Sequence, residues 1–268
     1  MKKKFKLGVI GAGFMATAII KGAIKSSIIA AKDILVSDVS RESLDKMQQN
    51  GVSVTMDTCS LVNNSEFVLF AVKPQSLREV LEAIKDCNCY KFISIMAGVR
   101  KDKIKSVFTS AAVARCMPNT PCAIGCGAVG LDVSDYTDLA DIEFVKNLLS
   151  SFAQVVIVTE DKMNAVTGVS GSSPAYFYLF LKGVIEAGVQ EGLSVDEAKI
   201  LAANTMIGAG KMVLNNPDKS LDELINAVCS KGGTTIEAVK VYNENGLNNI
   251  TSKAVSACVK RSIELEEL

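Results

Sequence analysis

The chain has no histidine and no tryptophan among its 268 residues. Without an imidazole, Ser-His-Asp triads, imidazole proton relays and histidine-based dehydrogenase chemistry are excluded. Any proton transfer falls to Lys, Asp, Glu, Tyr, Cys, a hydroxyl, water or the substrate. Net charge is missing too: Lys plus Arg (29) balances Asp plus Glu (29). No basic footprint for nucleic acid or for an anionic membrane surface remains. No apolar run reaches the roughly 18 residues that span a bilayer, and no signal-peptide core precedes a cleavage site. A cytoplasmic location is therefore expected. Eight cysteines are scattered, and Cys87/Cys89 and Cys122/Cys126 lack the paired spacing of zinc knuckles. They are expected to be mostly buried small hydrophobes, and no metal site is expected.

What is present begins with Lys6-Leu7-Gly8-Val9-Ile10-Gly11-Ala12-Gly13-Phe14-Met15-Ala16. A β-rich run breaks into glycines and then into a stretch with helical spacing. Gly11 permits the turn, Gly13 removes a side chain that would block phosphates, and Ala16 lets the helix lie close to the strand. The amides at the helix start, at Phe14 and Met15, and the helix dipole favour negative charge. This is the pattern of a pyrophosphate cradle, with an unliganded glycine-rich turn as the plainer alternative.

Strand-like runs at residues 34–37, 67–72, 91–95 and 112–115 alternate with helix-like stretches at 41–50, 76–86 and 101–107. Continuous apolar strands alternating with helices argue for a parallel sheet covered on both faces. Further strands are expected at 127–131 and 154–158, around a helix at 139–151. After about Glu160 strand signals stop, and helices are expected at 174–191, 196–214, 221–228, 234–243 and 249–267. Ser194 and Glu197 have capping-box spacing. The helix from Pro174 is apolar on every face, more than a small domain buries, so contact between subunits is expected. The fold class is thus α/β, with a Rossmann-like dinucleotide-binding domain at 1–160 and an all-helical dimerisation and substrate domain at 161–268.

Ligands of an open α/β sheet sit beyond the carboxyl ends of its strands. Ala71-Val72-Lys73-Pro74 ends the fourth strand, Met96-Ala97-Gly98 follows the fifth, and Met117-Pro118-Asn119 follows the sixth. All three are expected on the cofactor side, although Pro74 is also a natural first residue of a helix. Asp38 follows the second strand, where an acidic group bonds the ribose hydroxyls of NAD. Ser37, Ser40 and Arg41 crowd the same turn and suit the 2′-phosphate of NADP, so both cofactors stay open. In Ser230-Lys231-Gly232-Gly233-Thr234-Thr235 two glycines and two threonines open a helix. Successive amides then form an anion nest for a carboxylate or phosphate, the alternative being an ordinary helix start with a threonine cap.

Taken in order, the glycine turn, Ala71-Val72-Lys73-Pro74, Arg115-Cys116-Met117-Pro118-Asn119-Thr120-Pro121, the run from Gly168 to Tyr176 and Ser230–Thr235 resemble the pyrroline-5-carboxylate reductase family. The resemblance runs from about Phe5 to the end of the chain. It implies hydride transfer from NADPH, or NADH, to the cyclic imine 1-pyrroline-5-carboxylate, giving L-proline in the last step of proline biosynthesis. It also implies a homodimer assembled into a larger ring. Ser230, Gly232, Gly233, Thr234 and Thr235 would hold the substrate carboxylate, with Thr235 near the imine nitrogen as the catalytic residue. The chain departs from the family in having Lys231 where proline is common and Gly171-Ser172-Ser173-Pro174 where Gly-Ser-Gly-Pro is common. Asp38-Val39 stands where NADPH-preferring members often carry Asn-Arg. A β-hydroxyacid dehydrogenase would share the domain order, but its helix lysine is missing before Lys182. A dinucleotide-sensing binding protein would not need the nest.

Overall fold

The computed structural model describes residues 4–267. Its sheet has the strand order β3-β2-β1-β4-β5-β6-β7-β8, with β1 (Phe5–Ile10) in the middle of the first half. Around it lie β2 (Ile34–Ser37), β3 (Ser53–Thr55), β4 (Ser65–Phe70), β5 (Lys91–Ser94) and β6 (Ala112–Pro118), then β7 (Gly127–Asp132) and β8 (Ala153–Ile157). Strands β1 to β6 pair in parallel, as continuous apolar runs such as Phe67–Phe70 require. The pair β6–β7 is antiparallel, a departure from the all-parallel expectation. Only the short turn Thr120–Ile124 and a few flanking residues join these strands, too few for a crossover. The three-residue β3 was invisible in the sequence, because its run is short and only half buried.

Helices cover both faces. Against one lie α1 (Phe14–Lys25), α2 (Arg41–Gln48) and, later in the chain, α6 (Leu139–Ser150); Ile19, Ile20, Leu44 and Leu148 are fully or almost fully buried there with Val9 and Phe67. The other face holds α3 (Thr58–Asn64), α4 (Leu77–Ile84) and α5 (Lys101–Lys105), whose Leu61, Leu81 and Ile104 pack on Phe70 and Phe92. Gly8 lets α3 sit tightly on β1, since a Cβ there would lie 2.5 Å from both Leu61 and Ser65. Cys59 and Cys87 form a disulfide with Cα atoms 6.1 Å apart, tying α3 to the turn after α4. The expectation of free, merely space-filling thiols is corrected for that pair. Cys116 and Cys122 are buried, and burial pushes both thiols up, Cys116 strongly.

The chain divides into two compact units, each described by itself. The first runs to Pro174 and resumes at Cys258; the second is Ala175–Ala257. A single boundary at 160/161 was expected instead. The difference has a packing cause. In α7 (Met163–Val166) and the π-turn Thr167–Gly171 the chain still lies on the sheet. A Cβ on Gly130 would strike Val166, and one on Gly171 would strike Met117. The last turns of α12 (Leu247–Glu266) belong there too, with the Ser262 hydroxyl donating to Asn164 Oδ1 at 2.6 Å.

The second unit consists of all but the first two residues of α8 (Ser173–Gln190), α9 (Val195–Asn215), α10 (Leu221–Val228), α11 (Thr234–Glu244) and most of α12. The capping box at Ser194 forms: its backbone N–H donates to Glu197 at 2.8 Å and its hydroxyl accepts from the Glu197 N–H. A second box at Ser220 and Glu223 does the same for α10. Along α8, Phe177, Tyr178 and Leu179 are 54 to 73% exposed in the single chain. No described helix is long and apolar enough to cross a membrane.

Candidate functional site

The loop between β1 and α1 is held from three sides. Gly11 takes φ +104°, and a Cβ there would lie 2.6 Å from the carbonyl oxygen of Ala71. Its N–H donates to the Ser37 carbonyl at 2.7 Å, and the Ala71 N–H donates to the Ile10 carbonyl at 2.8 Å. Glycine is required at 11 by both conformation and contact. Gly13 is different. It is the N-cap of α1 in ordinary extended conformation, and a Cβ on it would meet nothing within 4 Å. The protein itself therefore makes no demand for glycine at 13; the open space fits a pyrophosphate, which a side chain would displace. No side chain caps α1, so the first-turn amides of Phe14 and Met15 remain open to an anion. Phe14 is exposed, Met15 half-buried and Ala16 fully buried against the sheet.

Asp38 is drawn into this loop. Its Oδ2 accepts from the Ala12 N–H at 2.7 Å and its Oδ1 from the Ser40 N–H at 2.8 Å. The carboxylate thus braces the glycine turn against the start of α2, a part the sequence did not suggest. Ser37 is wholly buried, and its hydroxyl has no hydrogen-bond partner among the described residues. Its carbonyl supports Gly11 by accepting the Gly11 N–H. Ser40 caps α2 by accepting from the Ser43 N–H at 3.2 Å. Arg41 is exposed and pairs with Asp45 at 2.9 Å, a surface contact weak enough for a phosphate to displace.

At the other strand ends, Ala71 and Val72 are half-buried, while Lys73 and Pro74 are exposed. Pro74 starts a short 3-10 turn, so both readings of that residue meet in one geometry. Ala97 is half-buried. Gly98 takes φ +68°, and a Cβ there would lie 2.9 Å from Leu265 Cβ. Asn119 is spent internally. Its Nδ2 reaches the Ser170 hydroxyl at 3.3 Å, and its Oδ1 accepts from the Ala128 N–H at 3.0 Å. Its side chain joins the end of β6 to β7 and the π-turn.

In the second unit, Gly232 has φ +73° and the Gly233 N–H donates to the Ser230 carbonyl at 3.0 Å. Gly233, not a threonine, is the N-cap of α11, and no side chain caps that helix. The Thr234 and Thr235 hydroxyls make no hydrogen bond among the described residues, and Thr235 is half-buried. Open amides edged by two free hydroxyls suit a carboxylate. A Cβ on Gly233 would run into Ser230 Oγ, so a larger residue there requires that hydroxyl to turn away.

Known proteins of the same kind are recognisable at this point. Residues 160–265 match the family model for pyrroline-5-carboxylate reductase dimerisation, and residues 6–98 match the model for NADP oxidoreductase, coenzyme F420-dependent. The chain is 37% identical over 267 residues to pyrroline-5-carboxylate reductase of Pasteurella multocida, with 97% of each covered. Among solved structures it is similar to a pyrroline-5-carboxylate reductase from Coxiella burnetii: TM-score 0.90, 32% identity, 98% of this chain and 99% of that one covered. It is also similar to the Plasmodium falciparum pyrroline carboxylate reductase with NADP bound: TM-score 0.86, 26% identity, 99% and 100% covered.

Proposed function

We propose, because this chain belongs to the pyrroline-5-carboxylate reductase family, that it reduces the C=N bond of 1-pyrroline-5-carboxylate to give L-proline, with NADPH as cofactor and NADH as the alternative. The observation that carries this reading is the open helix start at Gly232–Thr235, a carboxylate nest in a chain that also builds an unobstructed cradle at Gly13. When bound, the nicotinamide supplies the hydride that the imine carbon accepts. The chain holds the pyrophosphate on the Phe14 and Met15 amides, and Lys73, Pro74, Ala97 and Gly98 border the reactive end. Ser40 and Arg41 face the ribose, with Asp38 fixing their turn. The Thr234 and Thr235 amides bind the substrate carboxylate, and the Thr235 hydroxyl orients the ring nitrogen. Because that nitrogen arrives protonated, hydride addition at carbon yields the neutral amine, and no strong protein acid is required. This accords with a chain lacking histidine. The rate gain comes from near-attack positioning.

The exposed apolar residues of α8 and the family model named for dimerisation support a homodimer, assembled into a larger ring in the cytoplasm. The test is oxidation of NADPH and NADH measured side by side with 1-pyrroline-5-carboxylate. Imine-dependent oxidation with proline as product is expected, faster with NADPH. Binding of either cofactor without imine-dependent oxidation would favour a dinucleotide-sensing protein. Faster NADH turnover would make Asp38 a ribose ligand.

A further inference from the structure

A cleft of about 650 Å³ opens on the α4–α5 side of the sheet, between those helices and the last turn of α12. Its walls are apolar: Leu77 and Leu81 from α4, Val99 before α5, and Val107 after it. Two cations stand on its rim, Arg78 on α4 and Lys103 on α5. Both are exposed, and neither has an ion-pair partner among the described residues. The two acidic residues of the rim are already engaged: Glu82 by Lys85, and Glu266 by Arg115. The free charge of the cleft is therefore positive. A volume of this size falls within the range of small-molecule sites, which combine apolar walls with a few convergent polar groups.

We propose that this cleft is a second ligand site, distinct from the cofactor cradle, for a small organic carboxylate with an apolar body. The apolar part lies on Leu77, Leu81 and Val107, and the carboxylate meets Arg78 and Lys103. The guanidinium offers a bidentate fork and the ammonium a point charge. The cleft is also lined by Pro74, Ala97 and Gly98, residues that border the proposed nicotinamide position. An occupant wedged against Leu265 thus bears on the backbone of Gly98, where contact is already tight. Binding at the cleft is accordingly expected to alter cofactor affinity without competing for the cradle.

The test uses the assembled protein and octanoate as the probe, with octanamide as its uncharged counterpart. Titration calorimetry should find octanoate binding with a dissociation constant at or below about 1 mM, and octanamide at least about tenfold weaker. Arg78→Gln combined with Lys103→Gln, both surface changes, should weaken octanoate by a similar factor while leaving the melting temperature unchanged. Hydrogen exchange should slow in segments 74–82 and 97–107 when octanoate is added. The dissociation constant of NADPH should shift at least about twofold with octanoate present and not in the double variant. Octanoate binding that ignores the double substitution, or protection confined to the apolar helices of the second unit, would overturn the proposal. So would failure to bind with segments 74–82 and 97–107 already protected, since another subunit would then fill the cleft.

Discussion

Replacing Arg115 by Met probes a buried ion network at the end of the chain. Arg115 on β6 is 5% exposed; its guanidinium reaches Glu266 at 2.6 Å and Glu160 at 3.3 Å, and those carboxylates are 9% and 17% exposed. Removing the cation strands two carboxylates side by side. Breaking a buried pair in this way costs about 3–5 kcal/mol. Partial replacements exist: Arg100 lies 3.8 Å from Glu160 and 4.0 Å from Glu266, and the Lys101 N–H donates to Glu160 at 2.7 Å. The low end, about 3 kcal/mol, is therefore expected. With about 2.1 cal/mol/K of unfolding entropy per residue, a chain of this length should lose about 5 °C in melting temperature. Scanning calorimetry at fixed protein concentration reads the loss, and hydrogen exchange should rise selectively at 258–267. Glu266→Gln, which leaves Arg115 its bond to Glu160, should cost markedly less. A drop below about 1 °C for Arg115→Met would show that the network is well solvated and the burial argument mistaken.

Three further outcomes are expected. Asp135 bonds Lys101 and Lys105; burial alone would raise its pKa, but the two lysines outweigh it and hold the carboxyl below its usual value. Its contribution is complete above about pH 4 and is lost as pH falls through the lowered folded value, so Asp135→Asn should flatten the acid limb of an unfolding titration and destabilise the chain at neutral pH. Gly13→Val should leave the melting temperature within about 1 °C, because a Cβ there meets nothing, yet weaken NADPH at least about tenfold in a fluorescence titration; retained affinity would remove the pyrophosphate from that position. Thr235→Ala should lower kcat by about 10- to 100-fold with cofactor affinity unchanged, and unaltered turnover would take the hydroxyl out of the mechanism.

The parts of this fold that were legible in the sequence are those governed by local rules. Gly11 announces its positive φ, Ser194 and Glu197 announce a helix start, and apolar runs such as Phe67–Phe70 announce buried strands. The nest at Gly232 reads for the same reason, since two glycines before threonines leave few other conformations. What was not legible depends on residues distant in sequence. Asp38 reads as a ribose-side residue, and nothing local says that its Oδ2 also accepts from the distant Ala12 N–H. Asn119 reads as a cofactor-side residue, and nothing local says that Ala128 and Ser170 also engage its amide. The pairing of Cys59 with Cys87 depends on how α3 lies beside the turn after α4, which periodicity does not encode. The return of α12 to the sheet was equally hidden, because Arg115 and Glu266 carry no mark of each other.

That return bears on how the molecule is made. Residues 258–267 complete the sheet-bearing unit, yet they follow Ala175–Ala257 in the chain. During synthesis, which runs from the N-terminus, the first unit to start forming is thus also the last to be finished. Until Glu266 has cleared the ribosome, Arg115 waits with only Glu160 for company. The helical segment is made while its neighbour in sequence still lacks the last two to three turns of α12. Loss of residues 258–267 would accordingly injure the earlier-translated unit of the protein.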